Sequence, residues 1–105
     1  MIDVAQFDRL VDLLSQAIEL DAEYVEAWNN LGTVLSELNA TRDACEAFER
    51  AIAIEPEYAD AHYNLAETLA RQGDETRALR SWREYLRLDP TSAWADRVRE
   101  RIGDA

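Results

Sequence analysis

The chain has 105 residues, with 22 acidic side chains against 11 basic ones and a net charge of -11. That length fits one domain around one modest core, and the acidic balance excludes non-specific nucleic-acid binding and docking on an anionic membrane, both of which need basic clusters. Every basic residue is arginine, Gly (3) and Pro (2) are too scarce for turn-rich β architecture, and the lone Cys45 excludes an intrachain disulfide.

Hydrophobic periodicity predicts six helices and no strand. The first carries Phe7, Leu10, Val11, Leu14, Ala17 and Ile18 on one face, with Asp3 and Gln6 at capping-pair spacing. The second runs from about Tyr24 to Leu38, with Ala27, Trp28, Leu31, Val34 and Leu35 as its stripe; Asn39 follows, and asparagine tolerates the left-handed conformation that ends helices. Thr41 is expected to cap the third helix, whose stripe is Ala44, Phe48, Ala51 and Ile52, and Pro56 stops it by breaking the hydrogen-bond ladder. The fourth spans about Tyr58 to Arg71, with Ala61, Leu65, Ala66 and Leu69 inward, and ends at Gly73. Asp74 caps the fifth, which carries Ala78, Leu79, Trp82 and Leu86 and stops before Pro90; Thr91 or Ser92 caps the sixth, with Trp94, Ala95, Val98 and Ile102. Such short connections make successive helices antiparallel.

The chain also repeats itself. Ala51-Ile52-Ala53-Ile54-Glu55-Pro56-Glu57-Tyr58 echoes Ala17-Ile18-Glu19-Leu20-Asp21-Ala22-Glu23-Tyr24, about 34 residues earlier, and a more degenerate third copy passes through Leu86, Leu88, Asp89, Pro90 and Ala95. This is the period of a helix–turn–helix solenoid. The first full copy has Trp28, Leu31, Gly32, Leu35, Ala44, Phe48, Ala51 and Pro56; the second has Leu65, Ala66, Leu69, Ala78, Trp82 and Pro90. On these residues the chain resembles the tetratricopeptide repeat family. It departs at His62, which stands for the tryptophan, and at Tyr85, which stands for the second alanine and needs more room, so the last helix is expected to be displaced.

The resemblance implies an all-α, right-handed superhelical solenoid of six antiparallel helices, divided into a half-repeat helix (1–22), repeats at 25–58 and 59–92, and a capping helix (93–105). Asp96, Arg99 and Glu100 give the sixth helix a polar outer face and read as the end of the array, whereas the first helix reads either as an exposed apolar face or as the cut edge of a longer one.

The resemblance further implies a concave groove, lined by the first helix of each repeat, that holds an extended peptide or a partner helix. Helical spacing places Glu26, Asn29, Asn30, Thr33 and Glu37 in it from the second helix, Asp60, Tyr63, Asn64, Glu67 and Arg71 from the fourth, and Trp94, Arg97 and Arg101 from the sixth. Asn30 and Asn64 are equivalent and resemble a peptide-binding asparagine ladder; the other reading is that each bonds a neighbouring turn. Chaperone-binding members clamp a peptide carboxylate with Lys and Arg, but Glu26, Asn29, Asp60, Tyr63 and Glu67 hold those places here, so the lining favours a ligand with basic residues or is a solvated acidic face.

Residues 1–56 carry a net charge of -9 and residues 57–105 only -2, so a bound segment is expected to set its basic part near Glu26 and its acidic part near Arg97 and Arg101. The alternatives are a homodimer through Phe7, Leu10 and Leu14, or an accessory domain of a larger repeat protein. No cofactor, metal or catalytic set is expected: His62 sits in a packing slot, Cys45 reads as a small buried hydrophobe, and no phosphate loop or Ser/His/Asp set occurs. Without signal-peptide form in Met1–Leu20 or an apolar run near the roughly 20 residues a span needs, the expected location is cytoplasmic.

Overall fold

Left-handed residues decide where the hairpins turn. In the computed structural model, which describes residues 4–103 with side chains from residue 5, Asn39 has φ 63° and Gly73, 34 positions on, has φ 86°. Each is followed by a backbone bond that closes a helix C-terminus: Ala40 N donates to Leu35 O at 2.9 Å, and Asp74 N to Leu69 O at 3.0 Å. The helices so bounded are α1 (Val4–Leu20), α2 (Val25–Glu37), α3 (Thr41–Ile54), α4 (Ala59–Arg71), α5 (Glu75–Leu88) and α6 (Ala93–Ile102), with no strand among the described residues. The expected Asp3–Gln6 cap involves Asp3, which lies outside the described residues.

The helix starts are capped unequally. Asp74 accepts from Arg77 N at 3.2 Å and Ser92 from Ala95 N at 3.0 Å, as expected for α5 and α6. Thr41 does not cap α3: the turn bond fixes Ala40 as the last residue before the helix, and Thr41 is already its first helical residue. Ala40 has no side-chain oxygen, so that helix starts without a side-chain cap.

Small residues set the distance between helices. Ala44, Ala61, Ala66, Ala78 and Ala95 are fully buried, and around them Phe48, Leu69, Trp82, Tyr85 and Val98 fill the core. Phe48 lies against Gly32 so closely that a Cβ there would sit 2.5 Å from its ring. Burial to 1% exposure makes Phe48 worth about 1.5–3 kcal/mol. Each helix packs on the next, and α2 also meets α4, giving a body of 42 × 27 × 23 Å. The α2–α4 contact puts the leading helices of the two hairpins side by side, and that positions the site.

His62 fills its packing slot and keeps the hydrogen bond of the tryptophan it replaces. Trp28 Nε1 donates to Ala22 O at 2.9 Å, and one repeat later His62 Nε2 lies 2.8 Å from Pro56 O. A carbonyl only accepts, so Nε2 carries the proton. Cys45 is buried with its thiol 3.9 Å from Gln72 Oε1; burial, with Glu49 adding to it, pushes the thiol pKa up, away from the reactive thiolate. Along α1, Phe7, Leu10 and Leu14 are half-buried, while Leu13 (55% exposed) and Leu20 (89%) lie open.

Candidate peptide-binding groove

The face shared by α2, α4 and α6 begins with a polar seam. Asn64 Nδ2 on α4 donates to Asn29 Oδ1 on α2 at 3.1 Å. Thr68 gives its only hydroxyl proton to Asn64 O at 2.8 Å, so Ser36, 3.5 Å away, is the donor between those two hydroxyls. Arg71 Nη2 then closes the seam on Ser36, bonding both its hydroxyl and, at 3.1 Å, its carbonyl. Asn29, Ser36 and Thr68 are buried, and pairing buried polar groups in this way avoids a desolvation cost of about 1–3 kcal/mol each.

Between α4 and α6 the seam gives way to rings. Tyr63 meets Trp82, Tyr85 and Trp94 edge-on, with centroids 5.1, 5.3 and 5.5 Å apart. Tyr85 is 3% exposed, and its hydroxyl donates to Asp89 Oδ2 at 2.7 Å. Arg97 lies over the Trp94 ring at 4.8 Å from the centroid, and Arg101 over Trp82 at 5.2 Å. A cavity of about 330 Å3 opens here, lined by Asp60, Tyr63, Asn64, Tyr85 and Trp94.

Electrostatics follow from this layout. Burial, then Glu67, pushes the Tyr63 hydroxyl up, while Arg101 and Arg97 pull it down. Burial is also the main cause that raises Tyr85, with Asp89 and Asp60 adding to it. Asp89 is held below its usual range by the hydrogen bond from Tyr85, then by Ser92.

The structure brings the expected residues together in part. Glu26, Asn30, Thr33 and Glu37 are exposed along α2, with the Thr33 hydroxyl donating to Asn29 O at 3.1 Å. Asn29 is buried in the seam, Asp60 is exposed, and Tyr63, Asn64 and Glu67 are half-buried along α4. Trp94 is 52% exposed, with Arg97 and Arg101 exposed beside it. Asn30 and Asn64 differ in their contacts: Asn64 bonds Asn29 across the helices, and Asn30 is exposed. Sequence reasoning left out Ser36, Thr68 and Tyr85. Ser36 follows Asn29 and Thr33 at helical spacing and was within reach of that signal. Among the described residues no group of three or more His, Cys, Asp and Glu is placed to hold a metal, and no helix is long and apolar enough to cross a membrane.

Hairpins of small-residue contacts stacked by their leading helices define a helical-repeat protein. Two family profiles described as tetratricopeptide repeat match, one at residues 32–93 and one at residues 13–46, and the chain belongs to the tetratricopeptide repeat family. Solved structures agree on the fold. MamA is similar with a TM-score of 0.82 at 24% identity over 96% of this chain and 61% of that one. The Arabidopsis OM64 TPR domain gives 0.87 at 19% identity, covering 94% and 82%. YrrB, described as a TPR protein with an unusual peptide-binding site, gives 0.83 at 24% identity, covering 92% and 50%. The chain thus spans 61% of one MamA structure and 46% of another. No curated protein matches it.

Proposed function

We propose that the chain is a non-catalytic, cytoplasmic interaction module that holds an extended peptide segment or a helix along the α2–α4–α6 face, within a layout of half repeat, two repeats and capping helix. The observation that carries this reading is the row of accessible polar and aromatic side chains over a fully bonded floor: Glu26, Asn30 and Thr33, then Asp60, Tyr63 and Glu67, then Trp94. A bonded floor is rigid before the ligand arrives, which lowers the ordering cost of binding. Membership of the family and the peptide site named for YrrB support it.

Glu26, Asp60 and Glu67 favour basic residues in the ligand, and Arg97 and Arg101 favour an acidic residue at the α6 end. The test is a displayed peptide library followed by calorimetry on the selected sequences. Selection of basic peptides whose affinity falls about tenfold with Glu26→Lys plus Asp60→Lys would bear the reading out. Recovery of no peptide, or of peptides indifferent to those changes, would sink it.

Self-association through α1 is the second reading, favoured by the open Leu13 and Leu20 beside Phe7, Leu10 and Leu14. Light scattering across a concentration series decides it: a mass near twice 12.0 kDa, lost when Leu13 and Leu20 become polar, is the dimer outcome.

A further inference from the structure

The aromatic cavity between α4 and α6 has no counterpart in the first hairpin. The residue that stands 34 positions before Tyr85 is Ala51, which is fully buried. In its place the second hairpin has a phenol ring, and together with Tyr63 and Trp94 it walls a hollow of about 330 Å3. Three of its five lining residues are aromatic, with the negative π-faces that attract cations. A fourth, Asp60, is a carboxylate with no hydrogen bond or ion pair among the described residues, close enough to Tyr85 to raise its hydroxyl pKa. The fifth, Asn64, has its amide nitrogen committed to Asn29, which leaves its side-chain oxygen as an acceptor.

Flat π-walls, an unpaired carboxylate and an amide oxygen form a set that accepts hydrogen bonds and positive charge. The chain already makes the corresponding contact internally: its own guanidinium groups lie over Trp28, Trp82 and Trp94 at 5.4, 5.2 and 4.8 Å. Arg97 and Arg101 oppose a further cation at the α6 side, but Asp60, Glu67 and Asp89 surround the site with one more negative charge than those two arginines supply. A net charge of -11 draws cations toward the whole molecule.

We propose that this cavity is the receptor for one arginine side chain of the bound segment, with its guanidinium against the exposed Trp94 ring and paired to Asp60. The planar guanidinium fits flat ring walls where a compact ammonium does not. The proposal rests on the groove reading above and sharpens it: Asp60 and Trp94 become the point at which the ligand's register is fixed.

The test uses Nα-acetyl-arginine amide as probe, with Nα-acetyl-citrulline amide as its neutral isostere, titrated into the 15N-labelled chain. The expected result is a saturable shift of the Trp94 indole N–H and the Asp60 amide with the arginine probe. Citrulline should bind about tenfold more weakly, and Asp60→Asn should weaken arginine by about tenfold while leaving the melting temperature unchanged. Trp94→Ala supplies a second variant; its backbone spectrum checks that α6 is intact. Equal binding of citrulline and arginine would overturn the proposal. So would an arginine response unaffected by Asp60→Asn. Shifts confined to Glu26, Asn30 and Thr33, with Trp94 silent, would retain a peptide-binding groove and overturn the pocket.

Discussion

The α2–α3 and α4–α5 hairpins solve one packing problem with different residues. In the first, Gly32 admits the Phe48 ring; in the second, Ala66 stands at that place and Trp82 fills the opposite helix. Trp28 and His62 differ in size and polarity, yet each sends a ring N–H to the carbonyl six residues back, at 2.9 and 2.8 Å. Asn39 and Gly73 make the same turn, but only Asp74 adds a side-chain cap where the first hairpin has Ala40. The comparison teaches that the motif conserves filled volume and hydrogen-bond destination between its two copies, while residue identity is free to vary around them.

Substitutions break or sharpen that comparison. The largest effects come from the two opposing rings: Phe48→Ala and Trp82→Ala should each cost about 3–5 kcal/mol in urea unfolding, because both are buried with little room to collapse. A marked difference between them would mean that one hairpin carries the core alone. Next is Gly32→Ala. In an open helix this change gains about 1 kcal/mol, but here the new Cβ meets Phe48 at 2.5–2.8 Å, so a loss of about 1–3 kcal/mol is expected, read from the denaturation midpoint. A gain would show that the Phe48 ring is free to move.

Smaller effects lie at the caps. Asp74→Ala should lower stability by about 1 kcal/mol, and Ala40→Asp should raise it by a similar amount, since each makes one hairpin start like the other. Thermal melts would show shifts of about 4–8 °C in opposite directions.

The subtlest change is Tyr85→Phe, which removes the hydrogen bond to Asp89. The folded Asp89 pKa is depressed, so its contribution is complete above the usual aspartate value of 3.8 and is lost as pH falls through the lower folded value. In Tyr85→Phe the Asp89 carboxyl should titrate closer to 3.8, and the acid limb of stability should flatten there. An NMR titration that is identical in both proteins would assign the depression to Ser92 alone.

Much of this was legible because helical period and repeat period reinforce each other. Ala44, Phe48, Leu65, Ala66, Ala78 and Trp82 occupy the core as their spacing required, and Asn39, Gly73, Asp74 and Ser92 end or cap helices as their chemistry required. Thr41 misled because capping preference is local, while the turn bond from Ala40 to Leu35 fixes the helix start by geometry. The groove was legible as a face but not as a network. Spacing places Asn29 and Asn64 on neighbouring helices, but only the crossing of α2 and α4 brings them to 3.1 Å and buries one of them. Likewise Tyr85 reads as a substitution for alanine; that its ring walls a cavity depends on where α6 settles.

The seam between α2 and α4 has a mechanical consequence. Asn29–Asn64 ties those helices near their middles and Ser36–Arg71 near their ends, so the pair resists both splaying and sliding. Between α4 and α6 the tie described is the edge-on contact of Tyr63 with Trp94, which tolerates rotation better than a hydrogen bond does. The solenoid is therefore a stiff arm with a compliant wrist. Any change in curvature when a ligand seats itself concentrates at the Tyr63–Trp94 joint, and leaves the spacing of the first two rungs unchanged.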